Sequence, residues 1–262
     1  MTRRKCLVLG ASGLVGQRLQ QRLVNHPMFE IVAVAGSPSS AEQQLSSIPW
    51  RLDEDRPNLP ELIVIDANSP NLAQHCQSLG VEVAFSGLPS SVAQSVEQIL
   101  VDAGISVFSN SSAYRRTSNV PMIIPEINPH HNYPSKHYCA TNCTLIPLAL
   151  PVAAISKLST IVSVKMRSEQ ALSGAGWQLL FDQQALSGKV NPNIDGEAEK
   201  TSAELLHVLG SMQNQLVTPA EFLLDVNCQR IGRRDGHQVF VTVKTQNLLE
   251  LTEIIQQLQT LE

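Results

Sequence analysis

No two cysteines in this sequence are spaced as Cys-x-x-Cys. The five present, Cys6, Cys76, Cys139, Cys143 and Cys228, are odd in number and scattered over 262 residues. That distribution argues against a zinc ribbon or a disulfide-stapled secreted scaffold, and for reduced thiols in a cytoplasm. No metal site is expected. Long apolar runs are also missing: none approaches the roughly 18 residues of a membrane span. Cationic stretches are short, the densest being Arg3-Arg4-Lys5 and Arg233-Arg234, and the net charge is −4. A nucleic-acid partner is therefore not expected. The basic start leads into a short apolar stretch that Gly10 interrupts, which reads as a strand and not a signal peptide. Internal repeats and low-complexity segments are absent.

What is present is an ordinary globular composition, 43% hydrophobic and 16% charged. The length suffices for one large domain or two modest ones with a real core. In the first half, short apolar runs alternate with amphipathic stretches. Strands are expected at 6–9, 31–35, 62–65, 81–85 and 105–108, and helices at 15–24 and 91–103. That alternation predicts a parallel, doubly wound sheet with its ligand edge at the strand C-termini. Residues 109–137, rich in Ser, Asn, Pro, His and Tyr, read mostly as loop. An apolar helical run follows at 145–155, then a strand at 161–166 and a helix at 198–209. Late strands are expected at 222–226 and 239–243, with a last helix at 248–261. The boundary falls near residue 140, giving a dinucleotide-binding domain over 1–140 and a smaller α+β catalytic domain over 141–262.

Gly10-Ala11-Ser12-Gly13-Leu14-Val15-Gly16 follows the first strand and opens the first helix. Such a loop turns tightly at its first glycine. It admits a pyrophosphate at the second and packs helix on strand at the third. The helix N-terminus adds N–H groups and a partial positive charge. A glycine-rich turn without a ligand is the plainer alternative. NAD-specific folds place an acid at the end of the second strand for the ribose hydroxyl. Here Gly36-Ser37-Pro38-Ser39-Ser40 has none. The hydroxyls of Ser37, Ser39 and Ser40 suit a 2′-phosphate that a carboxylate would repel, so NADP is the expected cofactor.

Asn142-Cys143-Thr144 stands before the apolar helical run, where the dipole and free N–H groups stabilise a thiolate and an oxyanion. A lone cysteine is more often a small buried hydrophobe. Cys139, four residues earlier, has no such context. A histidine near a thiol can manage proton transfer, and His237 lies ahead of a late strand after a basic turn. Arg230, seven residues before it, is suited to clamping a carboxylate. Glu197 and Lys200 share one face of a helix start, and Arg115 and Arg116 occupy a loop suited to anion capture. Each has an ordinary surface or core reading beside the functional one.

Taken in order, GASGLVGQ at 10–17, FSGLPSSVA at 85–93, FSNSSAYR at 108–115, VPMIIPEIN at 120–128, TNCT at 141–144, QALSGAG at 170–176, GEAEK at 196–200 and RIGRRDGH at 230–237 resemble aspartate-semialdehyde dehydrogenases. The resemblance spans nearly the whole chain and is nearer the archaeal and fungal branch than the common bacterial one. It implies an N-terminal Rossmann-type domain, binding NADP through Gly10, Ser12, Gly13, Leu14, Val15, Gly16 and the serine loop. It implies reduction of aspartyl phosphate to aspartate semialdehyde through a thioacyl on Cys143, in the route to lysine, threonine and methionine. It further implies His237 as acid/base and Gln170 as a positioning group. Arg230 then takes the substrate carboxylate, Glu197 its amino group and Lys200 and Arg115 phosphate, with Asn142 also in contact with substrate. A cytoplasmic homodimer or homotetramer is implied as well. The family pattern runs on beyond the Arg-to-His strand with further strands and a final helix. This chain stops at Glu262, and the helix after Cys143 carries Pro147 and Pro151, the second of which is expected to kink it. Two alternatives stay open: a family-derived binding or regulatory protein, and an N-acetyl-glutamyl-phosphate reductase, against which the Glu197 carboxylate argues.

Overall fold

The computed structural model describes residues 2–260, which divide into two compact units. The first comprises residues 1–121 and 134–140, the second 122–133 and 141–262.

In the first unit the chain runs β1 (Arg4–Leu9), α1 (Leu14–Leu23), β2 (Phe29–Gly36), β3 (Val64–Asp66), α2 (Leu72–Ser78), β4 (Val83–Ser86), α3 (Ser90–Asp102), β5 (Ser106–Ser109) and β6 (His137–Cys139). The sheet order is β3-β2-β1-β4-β5-β6, and every pairing is parallel. β1 is central, and its Cys6, Leu7, Val8 and Leu9 are buried on both faces, as a doubly covered parallel strand must be. Strand order reverses beside β1, so the β1–α1 loop opens on the crevice where such sheets bind ligands. The doubly wound expectation holds. Two elements escaped it: α2, and β6, a three-residue strand that begins at the last residue of the stretch read as loop.

The second unit holds α4 (Leu145–Ser156), β7 (Ile161–Gln170), the short helices α5 (Trp177–Leu180) and α6 (Gln183–Leu186), α7 (Glu197–Val208), a hairpin of β8 (Ser211–Gln213) and β9 (Leu216–Thr218), β10 (Leu223–Arg230), β11 (Gln238–Thr245) and α8 (Leu251–Gln259). β7 lies between a parallel β10 and an antiparallel β11, giving the mixed α+β architecture expected. One face of this sheet joins α4 and α7 in a core that includes Leu145, Leu148, Val152, Val164, Met166, Leu205 and Val208, together with Met122 and Ile124. α4 is apolar nearly all round, as a fully packed helix is, and runs unbroken through Pro151. Packing thus outweighs the lost backbone hydrogen bond. The last helix begins at Leu251, not 248, and the expected end at Leu261 lies outside the described residues. β7 and β10 each run four residues further than their apolar patterns predict, to Gln170 and Arg230. Those extra residues carry the site.

Candidate active site

β7 fixes the geometry. Its last residue, Gln170, pairs in register with Arg230, the last residue of parallel β10. On the other side Glu169 pairs with Gln238, the first residue of β11, so His237 stands at the same end of the sheet. Arg230 and His237 thus flank one strand terminus, although the turn 231–236 separates them in sequence. That turn is zipped to the segment after β7. Leu172 and Ser173 donate backbone N–H to the carbonyls of Arg233 (2.8 Å) and Arg234 (3.1 Å), and Ser173 Oγ donates to Asp235 (2.6 Å).

Cys143 is exposed, and its Sγ lies 3.1 Å from His237 Nε2. Ala171, the residue after β7, donates its N–H to His237 Nδ1 at 3.1 Å. Its carbonyl accepts from Arg230 Nη1 at 2.6 Å. Arg230 is 9% exposed. Burial lowers its pKa, while the Cys143 thiolate and the Glu197 carboxylate act to raise it. A guanidinium stays charged regardless, so a buried cation faces the thiol. Burial, and then the Arg230 charge, pull the His237 pKa below its ordinary value; Asp235 and Glu197 oppose this. Gln170 donates from Nε2 to Glu197 Oε1 (3.2 Å). Cys143, His237, Arg230, Gln170 and Glu197 therefore form one connected cluster at the sheet end. Beside it, an open cavity of about 370 Å³ is lined by Arg230, Asp182, Lys189, Asn191 and Asn193 among others.

The other thiols differ in kind. Burial pushes Cys6 up to about 12 and Cys76 to about 11, and raises Cys228. Cys139 is 4% exposed on β6.

Asn142, expected in contact with substrate, is engaged within the protein. Its Oδ1 accepts the N–H groups of Thr144 (3.0 Å) and Leu145 (2.8 Å), and its Nδ2 donates to Thr201 Oγ1 (3.2 Å). The side chain is buried and caps α4. It holds the nucleophile's turn. The same bonds occupy amides that the sequence reading left free for an oxyanion. Lys200 is exposed on the first turn of α7. Arg115 belongs to the first unit, where it donates to the carbonyls of Ala140 (2.9 Å) and Asn110 (2.8 Å).

Several contributors had no place in the sequence reading. A Cβ on Gly174 would lie 3.1 Å from His237 Cε1 and 3.2 Å from Arg230 Nη1, so a side chain there would press on both groups. Glu204, buried on α7, accepts the Asn142 backbone N–H at 2.8 Å. A signal for it existed: Glu197, Thr201 and Glu204 recur at i, i+4 and i+7, a polar stripe on one helix face.

In the first unit the glycine loop suits a dinucleotide. Gly10 has φ +77°, and a Cβ on Gly16 would lie 2.0 Å from the Gly10 carbonyl oxygen, so neither position accepts a side chain. Gly13 is the N-cap of α1 and provides no side-chain cap, leaving the helix's first N–H groups for an anion. Arg51, a cation the sequence reading passed over, donates to the Ser12 carbonyl at 2.8 Å. In the serine loop Ser37 and Ser39 are exposed and bonded to one another (2.8 Å). Ser40 is buried and donates to the Ser37 carbonyl, so it shapes the loop.

Residues 5–133 match the family model for the semialdehyde dehydrogenase NAD-binding domain. The chain is 33% identical over 260 residues to the aspartate-semialdehyde dehydrogenase of Methanothermobacter thermautotrophicus, covering 94% of this chain and 73% of that one. It is 31% identical to the Aspergillus fumigatus enzyme, covering 94% and 70%. The crystal structure of the Candida albicans enzyme with NADP superposes with a TM-score of 0.81 at 28% identity, covering 98% of this chain and 76% of that one. Aspartate semialdehyde dehydrogenase II of Vibrio cholerae, at 17% identity and covering 99% and 79%, shares the fold with a TM-score of 0.76. The chain belongs to the aspartate-semialdehyde dehydrogenase family. Among the described residues no helix is long and apolar enough to cross a membrane.

Proposed function

We propose that this chain reduces aspartyl phosphate to aspartate semialdehyde through a thioacyl on Cys143, and that its cofactor is NADP. The observation that carries the reading is the 3.1 Å contact of Cys143 Sγ with His237 Nε2 beside the buried Arg230 cation, in a chain of this family. A nucleophile, a hydrogen-bonding partner and a countercharge meet at one strand end. Acyl transfer to sulfur needs all three.

Arg230 binds the substrate carboxylate, Glu197 its ammonium, and Gln170 is held by Glu197 to orient the reacting group. Lys200 and Arg115 supply charge for phosphate. The glycine loop and the N-terminus of α1 hold the pyrophosphate of NADP, with Ser37 and Ser39 at the 2′-phosphate. When bound, NADPH supplies the hydride that reduces the thioacyl. The family resemblance further supports a cytoplasmic homo-oligomer, which light scattering on the purified protein tests.

The test of the activity is direct. Purified protein given aspartate semialdehyde, phosphate and NADP generates NADPH, read by absorbance, while Cys143→Ala does not. Equal rates for the two proteins overturn the proposal.

A further inference from the structure

The serine loop lacks a cation. Ser37, Ser39 and Ser40 are hydroxyls, and the charged residue that follows them is an acid, Glu42. Between Arg22 and Arg51 the sequence holds no lysine or arginine. A phosphate monoester carries about two negative charges near neutral pH, and charge-assisted hydrogen bonds, above all from arginine, hold it best. The fold brings Arg51 to the crevice that the loop borders. Gly10 and Ala11 donate their N–H groups to the Ala35 carbonyl, at 2.9 and 3.0 Å, so the turn after β1 lies against the end of β2, two residues before Ser37. Arg51 Nη1 donates to the Ser12 carbonyl of that turn at 2.8 Å.

Two devices place this arginine. Leu45 and Ile48 are buried in one core with Val8, Ala11, Val34 and Val64, which anchors the segment leading to it. Gln17, 1% exposed on α1, then closes both halves of its amide on that segment. Its Nε2 donates to the Pro49 carbonyl at 2.7 Å, and its Oε1 accepts the Arg51 N–H at 2.7 Å. A buried amide clamped across Trp50 thus sets the backbone from which Arg51 projects. The neighbouring cations serve the protein itself. Arg56 donates to the carbonyls of Leu45, Ser46 and Ile48, and Arg18 pairs with Glu54 at 2.8 Å. The bond to the neutral Ser12 carbonyl positions the Arg51 guanidinium without cancelling its charge, and it uses one of five N–H donors. The pyrophosphate has the first N–H groups of α1; the 2′-phosphate has no helix terminus of its own. We infer that Arg51 is the cation that recognises the 2′-phosphate of NADP, together with Ser37 and Ser39, and so sets the preference over NAD. The inference rests on the reading of this chain as an NADP enzyme.

Calorimetric titration of the full chain tests it with NADP, NAD, 2′,5′-ADP and 5′-AMP. The last two differ only in the 2′-phosphate and carry no pyrophosphate. Loss of hydrogen bonds to a charged group corresponds to about 10–100-fold in Kd. Arg51→Gln therefore weakens NADP and 2′,5′-ADP by that factor and leaves NAD and 5′-AMP within about threefold. Arg51→Lys keeps the charge without the planar fork and recovers part of the loss. Equal losses for NADP and NAD make Arg51 a staple of the glycine loop and overturn the inference, as does unchanged NADP affinity.

The unmutated protein supplies an independent arm that no folding defect can blur. Arg51 is half-buried and open to an arginine-specific dicarbonyl reagent, whose adducts peptide mass spectrometry locates. Saturating 2′,5′-ADP should slow modification of Arg51, and saturating 5′-AMP should not. Equal protection by the two, or none by either, overturns the inference. Wild-type protein that prefers NAD, or binds neither dinucleotide, defeats the cofactor reading as well. Wild-type protein that prefers NADP, with an Arg51→Gln variant that keeps the preference, defeats the inference alone.

Discussion

Asn142→Ala separates a capping role from a substrate-binding one. The native amide accepts two backbone N–H groups, at 3.0 and 2.8 Å, and donates to a wholly buried hydroxyl, Thr201 Oγ1, at 3.2 Å. Loss of an N-cap side chain costs about 1 kcal/mol. Each buried polar group left without a partner adds about 1–3 kcal/mol unless water enters to satisfy it. The truncation opens room at Cβ for a water, so a net loss of about 2–4 kcal/mol is expected. The unfolding midpoint in urea should fall accordingly. Because Cys143 is the next residue, its orientation toward His237 loosens and kcat drops, while KM for the semialdehyde stays within about twofold, since uniform binding is untouched. Asn142→Asp keeps the acceptor for both amides and recovers part of the stability. It loses the bond to Thr201 and sets a second carboxylate near Glu204, which accepts the residue's own N–H. Stability unchanged to within about 0.5 kcal/mol, with KM raised and kcat intact, would refute the capping argument and return Asn142 to the substrate.

Gly174→Ala places a methyl between His237 and Arg230 at 3.1–3.2 Å. Displacing a catalytic group by a fraction of an ångström should lower kcat by about 10–10², with thermal stability little changed because the position is exposed; normal turnover would show that the two side chains can give way. Gly16→Ala sets a Cβ 2.0 Å from the Gly10 carbonyl oxygen, a backbone atom that cannot turn aside. Helix α1 must move off the loop, and NADP affinity measured by fluorescence titration should fall at least about tenfold, or 1.4 kcal/mol. The pH dependence of stability follows from His131 and His237. Burial is the main cause lowering both pKa values. Below the unfolded value of about 6.5 the unfolded chain binds protons that the native one refuses, so stability present above pH 6.5 is lost as pH falls toward the native pKa values. Urea midpoints between pH 8 and 5 check this, and a midpoint rising below pH 6.5 would contradict it.

The legible part of the fold was the part with local signatures. β1, the glycine loop and α1 announce themselves by an apolar run, a spacing and an amphipathic repeat. β6 does not: His137–Cys139 follows Pro- and Ser-rich sequence, and it is a strand only because β5 lies beside it, with Tyr138 stacked on Phe108 at 5.2 Å. The apolar pattern of β7 ends at Met166, yet the strand continues because Ser168 and Gln170 point inward to a polar site. Their polarity reads as a strand end when only hydrophobicity is counted. Cys143, His237, Arg230 and Glu197 stood out by residue type and context, Gln170 came from the family resemblance, and the fold brings the five together. Ala171 was beyond reach, since its contribution is a peptide group that every residue possesses.

That peptide explains why the chemistry sits at the end of a three-stranded sheet. Arg230 and His237 come from different neighbours of β7, one parallel and one antiparallel, so no local sequence relation fixes their separation. Ala171 fixes it by giving its N–H to one and its carbonyl to the other. Both bonds run to a single residue, so the spacing of the ring and the guanidinium is tied to it. This holds the cation beside the imidazole at the spacing that disfavours its protonation, while β7 itself is held by ladders on both sides. A two-stranded ribbon would leave one of the pair without a ruler. The central strand supplies rigidity, and the residue after it converts that rigidity into an electrostatic setting for the thiol.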